Sequence, residues 1–317
     1  MTVPFTLLHN VLVPHNAFQV GVDRLEYFFK YAPMPEPEIL AVLEPSGSGK
    51  SRLLETVEDA HKAWRDKDGK NKPVVRVSVP SKPTIKGLSD LILKELDPQD
   101  TRRYTENELT RRIQVLMRGC GTKMLMLDEF QHFYDRTSKK VWHHVTDWLK
   151  VLIDAVGCIL VVSGLPECTA VLRQCPQFRR RCRQKIQLPQ FRWMSPTEQA
   201  EFRGIVGSFW QAMAANGMLI PDLREDEWVF RIFCASGGLI GYLKKFLTEL
   251  AIEADMRGRG RELQLEDFEQ AYRQFAITFE DLSSDQFNPF DKTFVAKWTD
   301  ETAKHVNMVG ATIPVDG

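Results

Sequence analysis

The sequence predicts an α/β fold, a parallel sheet flanked by helices, followed by a smaller all-α module. Three observations carry that reading. Short continuous apolar runs alternate with helical patterns up to about residue 190. Strands of that kind belong in a parallel sheet covered on both faces. After Phe191 the strand patterns stop and only helical periods remain. Between the first strand and the first core helix stands Glu44-Pro45-Ser46-Gly47-Ser48-Gly49-Lys50-Ser51, a glycine-rich turn with the strand–turn–helix context of a phosphate-binding loop.

The elements follow in order. Val20–Phe29 is amphipathic and is closed by Pro33, Pro35 and Pro37. Ile39–Leu43 reads as a buried strand, and a helix runs from Ser51 to about Arg65. Asp66–Lys72 is charged and contains glycine, which predicts a surface loop. Val74–Val79 is the second strand. Helical patterns at 86–96 and 106–118 lead to the third, Met124–Leu127. Lys140–Ala155 is helical, Cys158–Val162 is the fourth strand, and 167–182 is a helix interrupted by Pro176. Ile186–Leu188 is the last strand. Segments 196–215, 224–235, 238–256 and 265–275 read helical, and 280–317, sparse in apolar residues, reads as a flexible tail. The expected organisation is therefore an N-terminal extension (1–38), an α/β core (39–192), a helical lid (193–279) and a C-terminal tail (280–317).

Composition narrows the function classes. The 317 residues carry 42 basic and 42 acidic side chains, so any nucleic-acid contact must come from a local patch. No window approaches the ~18 apolar residues of a membrane helix. The N-terminus shows no basic region before an apolar core, so no secretory signal is expected. Six cysteines occur without any C-x-x-C pair, which argues against zinc and against a disulfide framework. Cys168, Cys175 and Cys182 read as small residues along one broken helix.

The chemistry concentrates in three places. In the loop, Gly47 and Gly49 allow the backbone to approach phosphate oxygens. Amides of the Ser46–Gly49 turn and the following helix N-terminus form an anion cradle. Lys50 supplies a point charge to the β- and γ-phosphates, and Ser51 offers a hydroxyl to Mg²⁺. Glu44 departs from the usual pattern, which begins with glycine. About 78 residues past Lys50, the strand Met124–Leu127 ends in Asp128-Glu129, the Walker B pattern. There Asp128 would hold the metal through its water shell and Glu129 would polarise an attacking water. Together these predict ATP as ligand and Mg²⁺ as cofactor; without an N-K-x-D motif, a GTPase is disfavoured. Third, Arg173–Arg192 holds seven basic residues and no acid. An arginine supplied in trans stabilises charge developing on a γ-phosphate.

These residues resemble the TniB/TnsC group of AAA+ ATPases, regulators of Tn7-like and Tn5053-like transposition. The resemblance rests on Ser46–Ser51, on Asp128-Glu129-Phe130-Gln131-His132, on Pro83–Leu88, on Gln177–Arg181 and on Gly237–Leu243. It implies a bacterial, mobile-element-encoded, cytoplasmic ATPase that forms a head-to-tail ring or helical filament on duplex DNA. The assembly would link a TniQ/TnsD-like target selector to a DDE transposase. It further implies an arginine finger at Arg181, with Arg180 second, and DNA-backbone contacts at Lys86 and Thr105. Lys82, Arg102 and Arg103 add basic groups nearby. The family's sensor threonine is replaced by Leu165, with Ser163 the nearby hydroxyl, and its lid arginine by Tyr242. Those departures, with Glu44, imply slow turnover and a stable ATP-bound assembly. The rival readings are a STAND-type ATP-dependent switch and a helicase-loader ATPase. Phe287, Phe290, Phe294 and Trp298, standing in the polar tail, read either as a partner-docking peptide or as a segment folded back on the lid.

Overall fold

The computed structural model describes residues 7–8, 11–67, 69–100, 104–135, 139–174, 176–182, 184–258, 262–277 and 287–311. The chain forms two compact units. One comprises Asn16–Glu44 and Lys50–Leu188; the other comprises Met1–His15, Pro45–Gly49 and Pro189–Gly317.

The first unit is built on a five-stranded sheet. Its strands are β1 (Ile39–Leu43), β4 (Val74–Ser78), β5 (Met124–Asp128), β6 (Ile159–Gly164) and β7 (Gln184–Ile186). They are ordered β4-β5-β6-β1-β7 and all are parallel. Alternate side chains point to opposite faces. On one face Ala41, Leu43, Val77, Leu127 and Val162 pack with residues of α3 (Ile85–Leu96), α4 (Glu106–Gly119) and α6 (Lys139–Val156). On the other, Leu40, Val42, Met126 and Val161 pack against α1 (Asn16–Tyr31) and α2 (Lys50–Ala60). Both faces are apolar, which explains why the central strands β1, β5 and β6 read as hydrophobic runs, whereas β4 carries Arg76 and the edge strand β7 is polar at Gln184 and Lys185. The segment before residue 38 supplies α1, whose Phe18, Leu25 and Phe29 belong to this core.

The expected loop at 66–72 takes part in a short antiparallel hairpin, β2 (Trp64–Asp66) with β3 (Gly69–Asn71). Its residues are exposed or half-buried, so no alternation of polarity announces it. The helix expected at 167–182 is two helices, α7 (Cys168–Gln174) and α8 (Pro176–Arg181), divided before Pro176 as the proline demands. Between β5 and α6 lies a single turn, α5 (His132–Asp135).

The second unit is helical: α9 (Pro196–Ala215), α10 (Asp226–Ser236), α11 (Ile240–Arg257), α12 (Leu265–Ala276) and α13 (Asp300–Ala311). Its core is aromatic, with Phe202, Phe233, Tyr242, Phe246, Phe268 and Tyr272 buried together. The segment read as a tail differs from expectation. Phe290 is fully buried and stacks on Phe246 with ring centroids 5.0 Å apart. Arg231, itself buried, donates to the carbonyls of Pro289 at 2.6 Å and Phe294 at 3.3 Å. Trp298 packs on Phe233. These aromatics complete the helical core, so of the two readings the folded-back one holds. Among the described residues no helix is long and apolar enough to cross a membrane.

Candidate functional site

The strand order brings the site residues together. β6 lies between β1 and β5, so the C-terminal ends of all three are neighbours. Leu43 pairs with Gly164, and Leu127 with Val162, which sets Asp128 beside Ser163. Ser163 Oγ donates to Asp128 Oδ1 at 2.7 Å, and the Glu129 amide donates to the same oxygen at 3.0 Å. Both bonds use Oδ1, leaving Oδ2 for a metal-bound water. Ser163, expected among the nucleotide-binding residues, is fully buried and orients the Asp128 carboxylate.

Glu129 has φ 55°, the one non-glycine residue with positive φ among the described residues. Such a conformation costs about 1–3 kcal/mol and concentrates at functional sites. It turns the Glu129 carboxylate to Gln131, whose Nε2 donates to Oε2. The amide of Phe130 donates to the Ser163 carbonyl at 2.8 Å, and Nδ1 of His132 bonds the Val79 carbonyl at 2.7 Å. Val79 also donates to Asp128 O at 2.9 Å. The residues after the strand are thus fixed one by one, and the segment bearing Lys82 starts from a residue tied to both Asp128 and His132.

Lys50 opens α2 and is nearly buried. Its Nζ donates to the carbonyl of Glu44 at 2.8 Å. Burial lowers its pKa, while the carboxylates of Glu129, Asp128 and Glu44 pull it back up. The cation is therefore surrounded by the acids with which it would share a phosphate and a metal. Glu44 stands where glycine is usual, and its backbone does not need glycine: its φ is not positive. Its amide donates to Gly164 O at 3.1 Å, and its side chain lies 3.6 Å from Lys185 Nζ.

In the loop itself, Gly47 and Gly49 adopt φ 76° and 98°. Gly47 could not carry a side chain, because a Cβ there would lie 2.9 Å from the Tyr242 ring. Its carbonyl accepts from the Gly241 amide at 2.7 Å, and the Tyr242 hydroxyl is hydrogen-bonded to the Ser46 side chain. Burial raises the Tyr242 pKa against that bond. Ser48 Oγ is buried without a hydrogen-bond partner among the described residues. An orphaned hydroxyl on a left-handed glycine turn at a helix N-terminus fits a phosphate group. Ser51, in the first turn of α2, is exposed. Ser51 and Asp128 are the residues that would hold Mg²⁺, which when bound neutralises charge on the phosphate oxygens.

The two candidate fingers stand in different surroundings. Arg181 turns back to an ion pair with Asp154 of α6, its Nη2 lying 3.1 Å from Oδ2. Arg179 and Arg180 are exposed at the end of α8. Lys82 and Lys86 are exposed on the approach to α3 and on its first turn. Thr105 is exposed and caps α4, exchanging hydrogen bonds with Glu108. Arg102 and Arg103 lie outside the described residues. Sequence reasoning missed the individual roles of Gln131 and His132, which entered only as letters of a motif. It also missed the contact of Tyr242 with the loop; the signal was an aromatic standing where the resemblance expects an arginine.

The family described as bacterial TniB protein matches residues 6–193. No curated protein matches the sequence. Several solved structures are similar. The ORC2 protein of Aeropyrum pernix, determined in ADPNP-ADP complexes, has a TM-score of 0.60 at 14% identity, covering 89% of this chain and 73% of that one. Cdc6p of Pyrobaculum aerophilum has a TM-score of 0.57 at 13% identity, covering 96% and 89%. The Aeropyrum pernix ORC1 protein in complex with DNA has a TM-score of 0.57 at 14% identity, covering 86% and 69%. At these identities the likeness shows the fold, which is the AAA+ P-loop fold.

Proposed function

The chain belongs to the bacterial TniB family, and from that premise we propose that it is an ATP-dependent regulator of DNA transposition. In this reading ATP·Mg²⁺ is held by Ser46–Ser51 and Asp128, and Glu129 polarises the hydrolytic water. The observation that carries the reading is the cluster of Lys50, Asp128, Ser163 and Glu129 at the adjoining ends of β1, β5 and β6. A buried lysine that feels the carboxylates of Glu129 and Asp128 suits a polyphosphate with its metal.

Arg180, exposed at the end of α8, is the side chain best disposed to reach a neighbour's nucleotide. Arg181 follows once its bond to Asp154 opens. A contact of that kind is head-to-tail, so it builds rings if it closes and filaments if it does not. Lys82, Lys86 and Thr105 form the duplex-DNA face, touching backbone and giving affinity without base readout. The similarity to an ORC1 protein in complex with DNA supports a DNA role for this fold. The assembled protein would link a TniQ/TnsD-like target selector to a DDE transposase in the bacterial cytoplasm.

Fluorescence anisotropy of a labelled mixed-sequence duplex tests the DNA step. Binding should require ATP or a slowly hydrolysed analogue, weaken as salt rises, and fall in Lys82→Glu and Lys86→Glu alike on every sequence. Duplex binding that is indifferent to nucleotide would remove the regulator reading.

A further inference from the structure

Gln131 follows the acidic pair by two residues, and the chemistry assigned to Glu129 leaves half of its side chain unused. The residue is nine-tenths buried, 9% exposed. Its Nε2 donates to Glu129 Oε2. The orientation of the amide is dictated by chemistry: an ionised carboxylate only accepts, so the NH₂ end must be the one on Glu129, which leaves the carbonyl oxygen as a separate acceptor. That carbonyl oxygen, Oε1, is buried and has no hydrogen-bond partner among the described residues. Buried acceptors without a donor are rare in folded proteins and mark a place where a small ligand or water belongs.

Oε1 stands 3.0 Å from where a Cβ on Gly164 would be, and Cys168 Sγ lies 3.2 Å from the same point. The missing side chain of Gly164 leaves the room that the amide carbonyl occupies, at the end of β6. Burial lowers the pKa of Lys50 and the nearby carboxylates of Glu129 and Asp128 raise it, so Glu129 acts beside a cation. Leu165, next in the chain, brings no hydroxyl to this turn. Gln131 is therefore the uncharged polar group beside Glu129 that retains an open acceptor.

We propose that Gln131 is a positioning residue for hydrolysis, holding the Glu129 carboxylate through Nε2 and accepting one O–H of the attacking water on Oε1. The proposal rests on the reading of this chain as an ATPase. In the step, the water oxygen bonds to the γ-phosphorus, and the bond from phosphorus to the β–γ bridging oxygen breaks, its electron pair staying with ADP. One water proton passes to Glu129. The other remains on the new phosphate oxygen, donated to Gln131, which as an amide takes no proton. A water whose two hydrogens are held by two acceptors directs its lone pairs away from both, towards phosphorus.

The test compares Gln131→Ala, the isosteric Gln131→Glu and Gly164→Ala with the wild-type chain. Gly164→Ala leaves Gln131 in the sequence and displaces its carbonyl with a methyl group. We expect kcat for ATP to fall about 30-fold or more in all three, with KM and ADP affinity within about twofold of wild type. Affinity for ADP with aluminium fluoride, a mimic of the transferring phosphoryl group, should fall about tenfold or more. Thermal melting registers folding, and Gln131→Glu keeps the side-chain volume where Gln131→Ala does not. Unchanged kcat in folded variants overturns the proposal, as does a loss shared equally by ADP and the mimic. A wild-type chain that binds ATP without hydrolysing it overturns the ATPase reading and this proposal with it, and the wild-type measurement alone identifies that outcome.

Discussion

The ring of Tyr242 lies against the α-carbon of Gly47, so closely that a Cβ on Gly47 would come within 2.9 Å of the ring. The helix that carries Tyr242 also donates its Gly241 amide to the Gly47 carbonyl at 2.7 Å. Helix and phosphate loop are thus bonded through backbone and ring together. Gly47→Ala meets two penalties, the clash and the left-handed φ of 76°. It should lower affinity for a fluorescent ATP analogue at least tenfold. Adding Tyr242→Ala removes the clash and leaves the backbone strain, so the double variant should recover only part of the affinity. Full recovery would show that the ring alone sets the requirement for glycine.

Glu129 combines a strained backbone with the expected catalytic carboxylate, and the two effects separate by mutation. Glu129→Ala and Glu129→Gly should both lose hydrolysis and keep ATP binding. Glycine accepts the positive φ of 55°, so Glu129→Gly should be more stable than Glu129→Ala by about 1 kcal/mol in denaturant titrations. Equal stability would show that the strain relaxes in the variants.

Phe290 is buried by Phe246, Phe268 and Tyr272. Phe290→Ala should destabilise the helical unit by about 3–5 kcal/mol, read by chemical denaturation. A change under about 1 kcal/mol would mean that residues 287–294 contribute little to the fold.

His305 is buried and bonds the Tyr272 hydroxyl at 3.1 Å. Burial pushes its pKa from 6.5 down to about 4. Between those values the unfolded chain binds more protons than the folded one. Its contribution is therefore complete above pH 6.5 and is lost as pH falls towards 4, at up to about 1.4 kcal/mol per pH unit. His305→Gln, which keeps an acceptor and does not titrate, should show a shallower loss of melting temperature across that window. Parallel profiles would assign the acid sensitivity to other groups.

The central strands β1, β5 and β6 were legible because burial on both faces leaves an apolar run, and Lys50, Asp128 and Glu129 were legible because each closes or follows such a run; the edge strand β7, Gln184-Lys185-Ile186, carries no such run and meets the expected 186–188 only at Ile186. The β2–β3 hairpin was not, since its exposed or half-buried residues carry no pattern. Residues 287–311 misled for a different reason. Their anchoring comes from a few aromatics and from Arg231 bonding backbone carbonyls, and backbone acceptors are invisible in a sequence. Within the site, the pairing of Arg181 with Asp154 and the open carbonyl of Gln131 depend on how separate elements meet. Only the folded chain shows them.

Electron microscopy of the purified protein with duplex DNA, with and without a slowly hydrolysed ATP analogue, shows directly whether nucleotide drives assembly. An ATP-dependent regulator should form rings or filaments on DNA only with nucleotide, abolished by Lys50→Ala and weakened by Arg180→Ala. Nucleotide-bound monomers that ignore DNA would contradict it.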